Sequence, residues 1–329
     1  MGNAYANELD RIYKKIREQI KKVDIDTATF VLLRNLQNQA GELLIQANSK
    51  ATKRIIKDLE KLAKQETSWA AKLIESESNA ELISKTITTE QAIAVVESAT
   101  FAPTPRSRVN LQNTFENLGR SASQKARQAI SDGILTGMTN EQISKNIFEN
   151  SNLARNQARA IARTGTNLVS NNARQNLYQA NSDVIEQYQW VATLDLRTTA
   201  VCSGRDGQLY NFGAGNPVPP AHFNCRSTTV PVVAKEFRSK PKKPPQRPAI
   251  GAKGAGTVNA KQNYGTWLRS QPASFQDEYF SKFKNGQEKA KLFRQGGLKI
   301  DKFIDPSGAE YSLSELKNLN PVEFAKANI

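Results

Sequence analysis

Apolar residues recur at three- and four-residue steps through most of the first hundred positions. In "ELDRIYKKIREQIKKV", Leu9, Ile12, Ile16 and Ile20 share one face with lysine and arginine between them, which predicts an amphipathic helix. A second periodic stretch runs from about Thr29 to Ile45 through Phe30, Leu33, Leu36, Ala40, Leu43 and Leu44, and Ile55 to Ile83 continues in the same style. Pro103 and Pro105 in "TFAPTPRSR" break the run and mark a boundary. Beyond it, Ala126, Ile130 and Ile134 line one face of a small-residue helix, with Gly137 at its C-terminal stop. Thr139 and Gln142 match a capping box that opens a new helix over "TNEQISKNIF". The next segment, "LARNQARAIARTGTNLVSNNARQNLYQAN", predicts a further helix. Its Ala154, Ala158, Ile161, Gly165, Leu168 and Leu177 build a face that permits close packing.

The period then changes. Tyr188, Trp190, Ala192 and Leu194 alternate with other residues, as in a strand. Asp206-Gly207 supplies a turn before a second short strand, giving a hairpin, and "STTVPVV" reads as a third strand. Proline, glycine and basic residues between 236 and 258 predict an extended linker without regular structure. A small terminal unit follows: a helix, an interruption at Pro272, a second amphipathic stretch, a turn at Asp305 to Gly308, and a helix opened by a Ser312/Glu315 capping box. The pattern as a whole predicts an α+β chain. It comprises an elongated helical region (1–102), a small α/β module with a β-hairpin (106–235), a basic linker (236–258) and a C-terminal helical/β unit (259–329).

Composition adds partners to this picture. At 329 residues the chain has room for two domains, and an apolar fraction of 38% suits an elongated, helix-rich protein. No apolar run approaches the ~20 residues of a membrane span, so no membrane partner is expected. The opening "MGNAYANELDR" lacks a signal-peptide core, and Ala6 stands where a myristoylation signal needs Ser or Thr; folding is expected in the cytosol. A net charge of +15 favours a polyanion, nucleic acid first, unless the surplus serves only solubility. Between Ser151 and Ala234 every cation is an arginine: Arg155, Arg159, Arg163, Arg174, Arg197, Arg205 and Arg226. Arginine's planar fork suits fixed contacts. Arg155, Arg159 and Arg163 form a stripe that either is solvated or binds phosphate or a partner. Lys240, Lys242, Lys243 and Arg247 give the linker a basic arm that tracks a phosphate backbone or acts as a spacer.

The only histidine, His222, lies in "PPAHFNCRS" with Cys225; the only other cysteine is Cys202. Two thiols and an imidazole are zinc ligands, and His-x-x-Cys presents two of them from one turn. Cys202 on the hairpin supplies a third, leaving Asp206, Asp195 or water for the fourth. Three other readings stand beside zinc: buried packing thiols with His222 bonded to a carbonyl, a Cys202–Cys225 disulfide formed outside the cytosol, and a Cys202 nucleophile activated by His222. There is no Walker loop, no HExxH and no dinucleotide fingerprint. Asp195, Asp206 and Glu186 are too scattered to read as a nuclease metal site, so no enzyme is expected.

Taken in order, "GILTGMTNEQISKNIFEN", "ARAIARTGTNLVSNNAR", "WVATLDLRTTAVCSGRDGQLY" and "PPAHFNCRS" resemble the head morphogenesis domain of Mu F-like minor head proteins, over roughly Arg120 to Val233. The C-terminal "YGTWLRSQP" to "FIDPSGAEYSLSEL" also resembles the trailing segment of such proteins. The resemblance reaches Arg163, Thr164, Trp190, Asp195, Arg197, Thr198, Cys202, Asp206, Gly207, His222, Cys225 and Arg226. Ser227 departs from the family's common Cys-Arg-Cys ending. What the resemblance implies is a minor structural protein of a tailed-phage head, present in few copies and without catalytic activity. Its partners would be the portal protein, the major capsid or scaffolding protein and packaged double-stranded DNA. Its place would be the virion, by way of the host cytoplasm during assembly. The alternative is a DNA-binding ejection protein released with the genome.

Overall fold

A computed structural model of the chain describes residues 2–23, 30–104, 107–213, 215–239 and 245–329. It is an α+β protein: long helices dominate, and the sheets are small and antiparallel where their registers are defined. Two compact units form. One comprises Met1–Gln65, Ile87–Phe101 and Val109–Ser170; the other comprises Glu66–Thr86, Ala102–Arg108 and Asn171–Ile329. They cut across the four segments expected from the sequence.

The first unit is built on α1 (Gly2–Lys21), most of α2 (Phe30–Glu77), α3 (Thr89–Glu97), α4 (Leu111–Leu135) and the first three-quarters of α5 (Asn140–Ala180); strands β1 (Thr100–Thr104) and β2 (Ser107–Asn110), between α3 and α4 in the chain, have residues in both units. Periodic segments that are separate in the sequence pattern run together as continuous helices. The periodic stretches on either side of Gln46–Arg54 join into α2, because that interval has no glycine or proline and its Ala47 and Ala51 keep the buried stripe Ala40, Leu44, Ile55, Leu59, Ala63 in phase. The same holds in α5, where buried Ser151 carries the stripe of Ile143 and Ile147 on to Ala154 and Ala158. The predicted box at its start is present, Thr139 N–H donating to Gln142 Oε1 (2.8 Å) and Gln142 N–H to Thr139 Oγ1 (3.2 Å). Gly137 takes φ +68° after α4 ends.

Polar contacts set how these helices meet. Buried Asn48 on α2 accepts from Tyr5 Oη of α1 and donates to the Phe115 carbonyl of α4 (3.0 Å). Gly119 of α4 makes this possible by close approach, since a Cβ there would lie 2.4 Å from Asn48 Cγ. Asn140 at the start of α5 donates to the Ile20 and Val23 carbonyls at the end of α1 (3.1 and 2.5 Å), satisfying acceptors that a helix C-terminus leaves open.

The second unit holds a three-stranded sheet, order β4-β3-β5: β3 (Ile185–Val191) lies between β4 (Leu209–Tyr210) and β5 (Thr228–Val233), antiparallel to both. The three strands were legible in the sequence, but β3 and β4 are not joined by a tight hairpin. A short helix, α6 (Ala200–Arg205), stands between them, and Cys202 is on that helix.

Over residues 246–258 the expected linker is also overturned. Gln246–Gly251 (β6) and Gly254–Asn259 (β7) pair as a hairpin with Arg247 opposite Val258 and Ala249 opposite Gly256. Arg247 and Ala249 alternate inward, and Ile250 N–H donates to the Leu194 carbonyl (2.8 Å). Proline-rich composition concealed that two-residue period. Pro248 is tolerated because this two-stranded sheet has only edge strands. Helices α7 (Tyr264–Arg269), α8 (Ala273–Phe280), α9 (Gly286–Lys291), α10 (Leu313–Leu319) and α11 (Pro321–Ala327) close the chain. Their core of Tyr264, Trp267, Tyr279, Phe280, Phe293 and Phe303 also takes in Leu194 and Ala249, so the C-terminal segment shares one core with the residues after β3.

Candidate functional site

The Asp206-Gly207 turn ends α6 and starts β4. Gly207 has φ +85°, a conformation that penalises a side chain, and a Cβ there would meet Asn263 at 3.1 Å. The turn delivers Asp206 into the interior, where its side chain has no exposed surface. Oδ1 accepts from Ala192 N–H (2.6 Å) and Arg247 Nη2 (3.0 Å); Oδ2 accepts from Tyr264 N–H (2.6 Å) and Arg247 Nη1 (3.0 Å). Arg247 donates further to the carbonyls of Gln262 (3.0 Å) and Ala192. One carboxylate thus joins the end of β3, strand β6 and the first residue of α7. Arg247 is no nucleic-acid contact; it is a buried structural cation.

Asp195 plays a parallel part nearer the surface. Arg226 grips it with a two-pronged fork (2.5 and 2.7 Å), the Arg197 backbone N–H donates to it (2.9 Å), and Tyr264 Oη donates to its main-chain carbonyl (2.8 Å). Burial alone would raise its pKa, but the Arg226 fork and the Arg197 N–H outweigh that and hold the carboxyl below its ordinary value. The Arg197 side chain is exposed, so its place in the motif is served by its backbone. Neither Asp195 nor Asp206 is available as a metal ligand, which corrects the fourth-ligand expectation for both.

Cys202, His222 and Cys225 do come together, with one potential ligand atom from each lying within 4.8 Å of the others. Cys202 Sγ is 3.6 Å from Cys225 Sγ and 3.2 Å from His222 Nε2. A turn closed by Cys225 N–H to the His222 carbonyl (3.2 Å), with Asn224 at φ +59°, presents His222 and Cys225 together. His222 Nδ1 faces the Phe223 carbonyl (2.8 Å) and Thr199 Oγ1 lies 2.9 Å from Nε2. Trp190, fully buried, packs against both cysteines, and the Arg205 guanidinium sits 5.4 Å from the centre of its ring. Thr199 carried no signal in the sequence beyond its place three residues ahead of Cys202.

The two thiols are inequivalent. Hydrogen bonding from Cys202, with His222 alongside, pulls Cys225 down to about 4 despite burial. Cys202 is pushed well up by its bond to Cys225 and by burial. Burial works against charge on His222, yet Cys225 and the Phe223 carbonyl outweigh it and raise the imidazole. The nucleophile reading needs an activated Cys202, and the shift on that thiol runs the other way.

Two arginines of the stripe are engaged within the chain. Arg155 pairs with Asp10 of α1 (3.1 Å), and Arg159 donates to Asn3 (3.2 Å) where Gly2 lets α1 come close to Ala162. Arg163 is exposed and engaged in a contact of its own. Arg174 pairs with Glu66 (2.6 Å) and donates to Thr228. Lys240, Lys242 and Lys243 lie outside the described residues.

This assembly coincides with a family. The family described as Phage Mu protein F like protein matches residues 124–230, about a third of the chain. Over these residues the chain is similar to Mu F-like proteins. Mu F-like proteins belong to phage head morphogenesis, a structural class, and the match agrees within a few residues with the extent expected from the motifs. No curated protein and no solved structure matches the chain. The Mu F-like segment holds Asp206 but ends before Arg247 and Tyr264, so three of the four donors to its turn carboxylate come from outside it. No described helix is long and apolar enough to cross a membrane.

Two measurements check these roles. Asp206→Asn strands a buried guanidinium and should cost about 3–5 kcal/mol in thermal or denaturant unfolding. Adding Arg247→Met should recover part of that loss; if the double variant is no better than the single, the pair is not the linkage. Asp195 has a depressed pKa, so its contribution is complete above the unfolded value of about 3.9 and is lost as pH falls below it. Asp195→Asn should therefore cost roughly 1 kcal/mol at pH 7, discounted for the partly exposed Arg226. The gap to the parent protein should close below about pH 4, and a gap independent of pH would remove the ion pair from the account.

Proposed function

We propose that this chain is a minor structural protein of a tailed-phage head that acts in procapsid assembly at the portal vertex. The observation that carries the reading is the Mu F-like match over residues 124–230. The motif positions Trp190, Asp195, Asp206, Gly207 and Arg226 all serve packing, turns or internal ion pairs. The partners are the portal protein and the major capsid or scaffolding protein, and the location is the virion. Mass spectrometry of gradient-purified particles, comparing full heads with DNA-emptied ones, tests this. A low, fixed ratio to coat protein in both is expected. Loss from emptied heads would replace the reading with ejection alongside the genome, and absence from both would overturn it.

Contact with packaged DNA rests on the net charge of +15. With Arg155, Arg159 and Arg247 occupied internally, the contact falls to exposed Arg163 and to the three lysines Lys240, Lys242 and Lys243. Replacing all three with alanine should flatten the salt dependence of duplex DNA binding, by roughly 0.9 in the log–log slope for each phosphate no longer neutralised. An unchanged slope would exclude this arm from the interface.

A further inference from the structure

We propose that Cys202 Sγ, Cys225 Sγ and His222 Nε2 bind one zinc ion, with an oxygen from water or from Thr199 in the fourth position. The proposal is independent of the assignment to phage heads.

Three observations carry it. The first is spacing. Tetrahedral zinc with Zn–S near 2.3 Å and Zn–N near 2.0 Å sets neighbouring ligand atoms roughly 3.5–3.8 Å apart. The two sulfurs are 3.6 Å apart and the Cys202 Sγ to Nε2 distance is 3.2 Å, so two edges of one face of that tetrahedron are met to within a few tenths of an ångström, and all three ligand atoms lie within 4.8 Å of one another. The second is orientation. His222 Nδ1 donates to the Phe223 carbonyl at 2.8 Å, which puts the lone pair of the neutral ring on Nε2, the nitrogen beside Cys202 and Thr199. An outer hydrogen bond of this kind is how proteins fix the tautomer and aim of a metal-binding imidazole. The third is the donor set and its setting. Both sulfurs are buried, at 3% and 4% exposure, on separate elements: one on α6, the other in the turn at 222–225. Two thiolates and an imidazole select a soft or borderline ion, and two thiolate charges neutralise zinc's own in a site walled by Trp190. Thr199 Oγ1, 2.9 Å from Nε2, is an oxygen already at hand.

The carboxylates are not part of the site. Asp195 and Asp206 are committed to Arg226 and Arg247. With three protein side chains and one oxygen, the site resembles zinc centres that keep an exchangeable position, although here the metal's work is to pin α6 to the His222–Cys225 turn.

The full-length protein, purified under reducing conditions without chelator, should carry one zinc per chain by elemental mass spectrometry. Cobalt(II) added to the stripped protein should give a thiolate-to-cobalt charge-transfer band and the intense visible bands of tetrahedral coordination, saturating at one equivalent. Cys225→Ser and His222→Gln should weaken cobalt binding at least 10-fold, with circular dichroism confirming that each variant is folded. The parent protein decides the matter even if a variant fails to fold. Reduced, folded protein with two titratable thiols, no zinc and no cobalt charge-transfer band would overturn the proposal. Isolation of the chain with Cys202 and Cys225 joined in a disulfide and no metal would overturn it equally.

Discussion

A carboxylate with no access to water must find all its hydrogen bonds inside the protein, and the second unit is organised around that demand at Asp206. Its two oxygens take four donors, from Ala192, Tyr264 and both ends of the Arg247 fork. Arg247 in turn directs further donors to the Gln262 and Ala192 carbonyls. A fully satisfied buried network is rigid because every departure leaves a polar group unpaired in a medium that punishes it. The strand bearing Trp190, the β6–β7 hairpin and the start of the aromatic C-terminal core therefore hold one relative position.

That network also explains the surroundings of the cysteine–histidine cluster. Helix α6 leads directly into the Asp206 turn. Ser203, next to Cys202, bonds Tyr279 (2.6 Å), so α6 is held from both the turn and the C-terminal core. Cys202 is thus presented from a fixed support, while His222 and Cys225 come from a turn about twenty residues further along the chain. The Arg226 fork on Asp195 ties that turn down just beyond Cys225. A crosslink between the cysteines, by metal or by any other means, would add a second tie on the other side of the same turn.

The abundance of arginine has a related meaning. Seven arginines and no lysine between Ser151 and Ala234 pointed to fixed, geometrically specific contacts. The contacts are fixed, but most are within the chain: Arg155 on Asp10, Arg174 on Glu66, Arg226 on Asp195, Arg205 over Trp190. Residue type conveyed the kind of interaction, and nothing local conveyed the partner.

Much of the local structure follows from neighbours a few positions apart. The helical stripes, both capping boxes, the positive-φ Gly207 turn, the three strands and the His-x-x-Cys turn depend on spacings of two to four residues, and so they are legible in the order of residues alone. The cluster of Cys202, His222 and Cys225 was foreseeable as chemistry, though not that Cys202 rides on a helix, because six residues are too few to display a helical period. What tertiary structure decided were partnerships across long separations. Arg247 reads as a linker charge until it meets Asp206, 41 positions away, and the β6–β7 hairpin reads as proline-rich spacer until Ala249 enters a core with Leu194 and Phe280. Those assignments arise from burial, which sets the free-energy cost of every unpaired charge and every exposed ring. Burial belongs to the folded chain as a whole, so no window of sequence contains it.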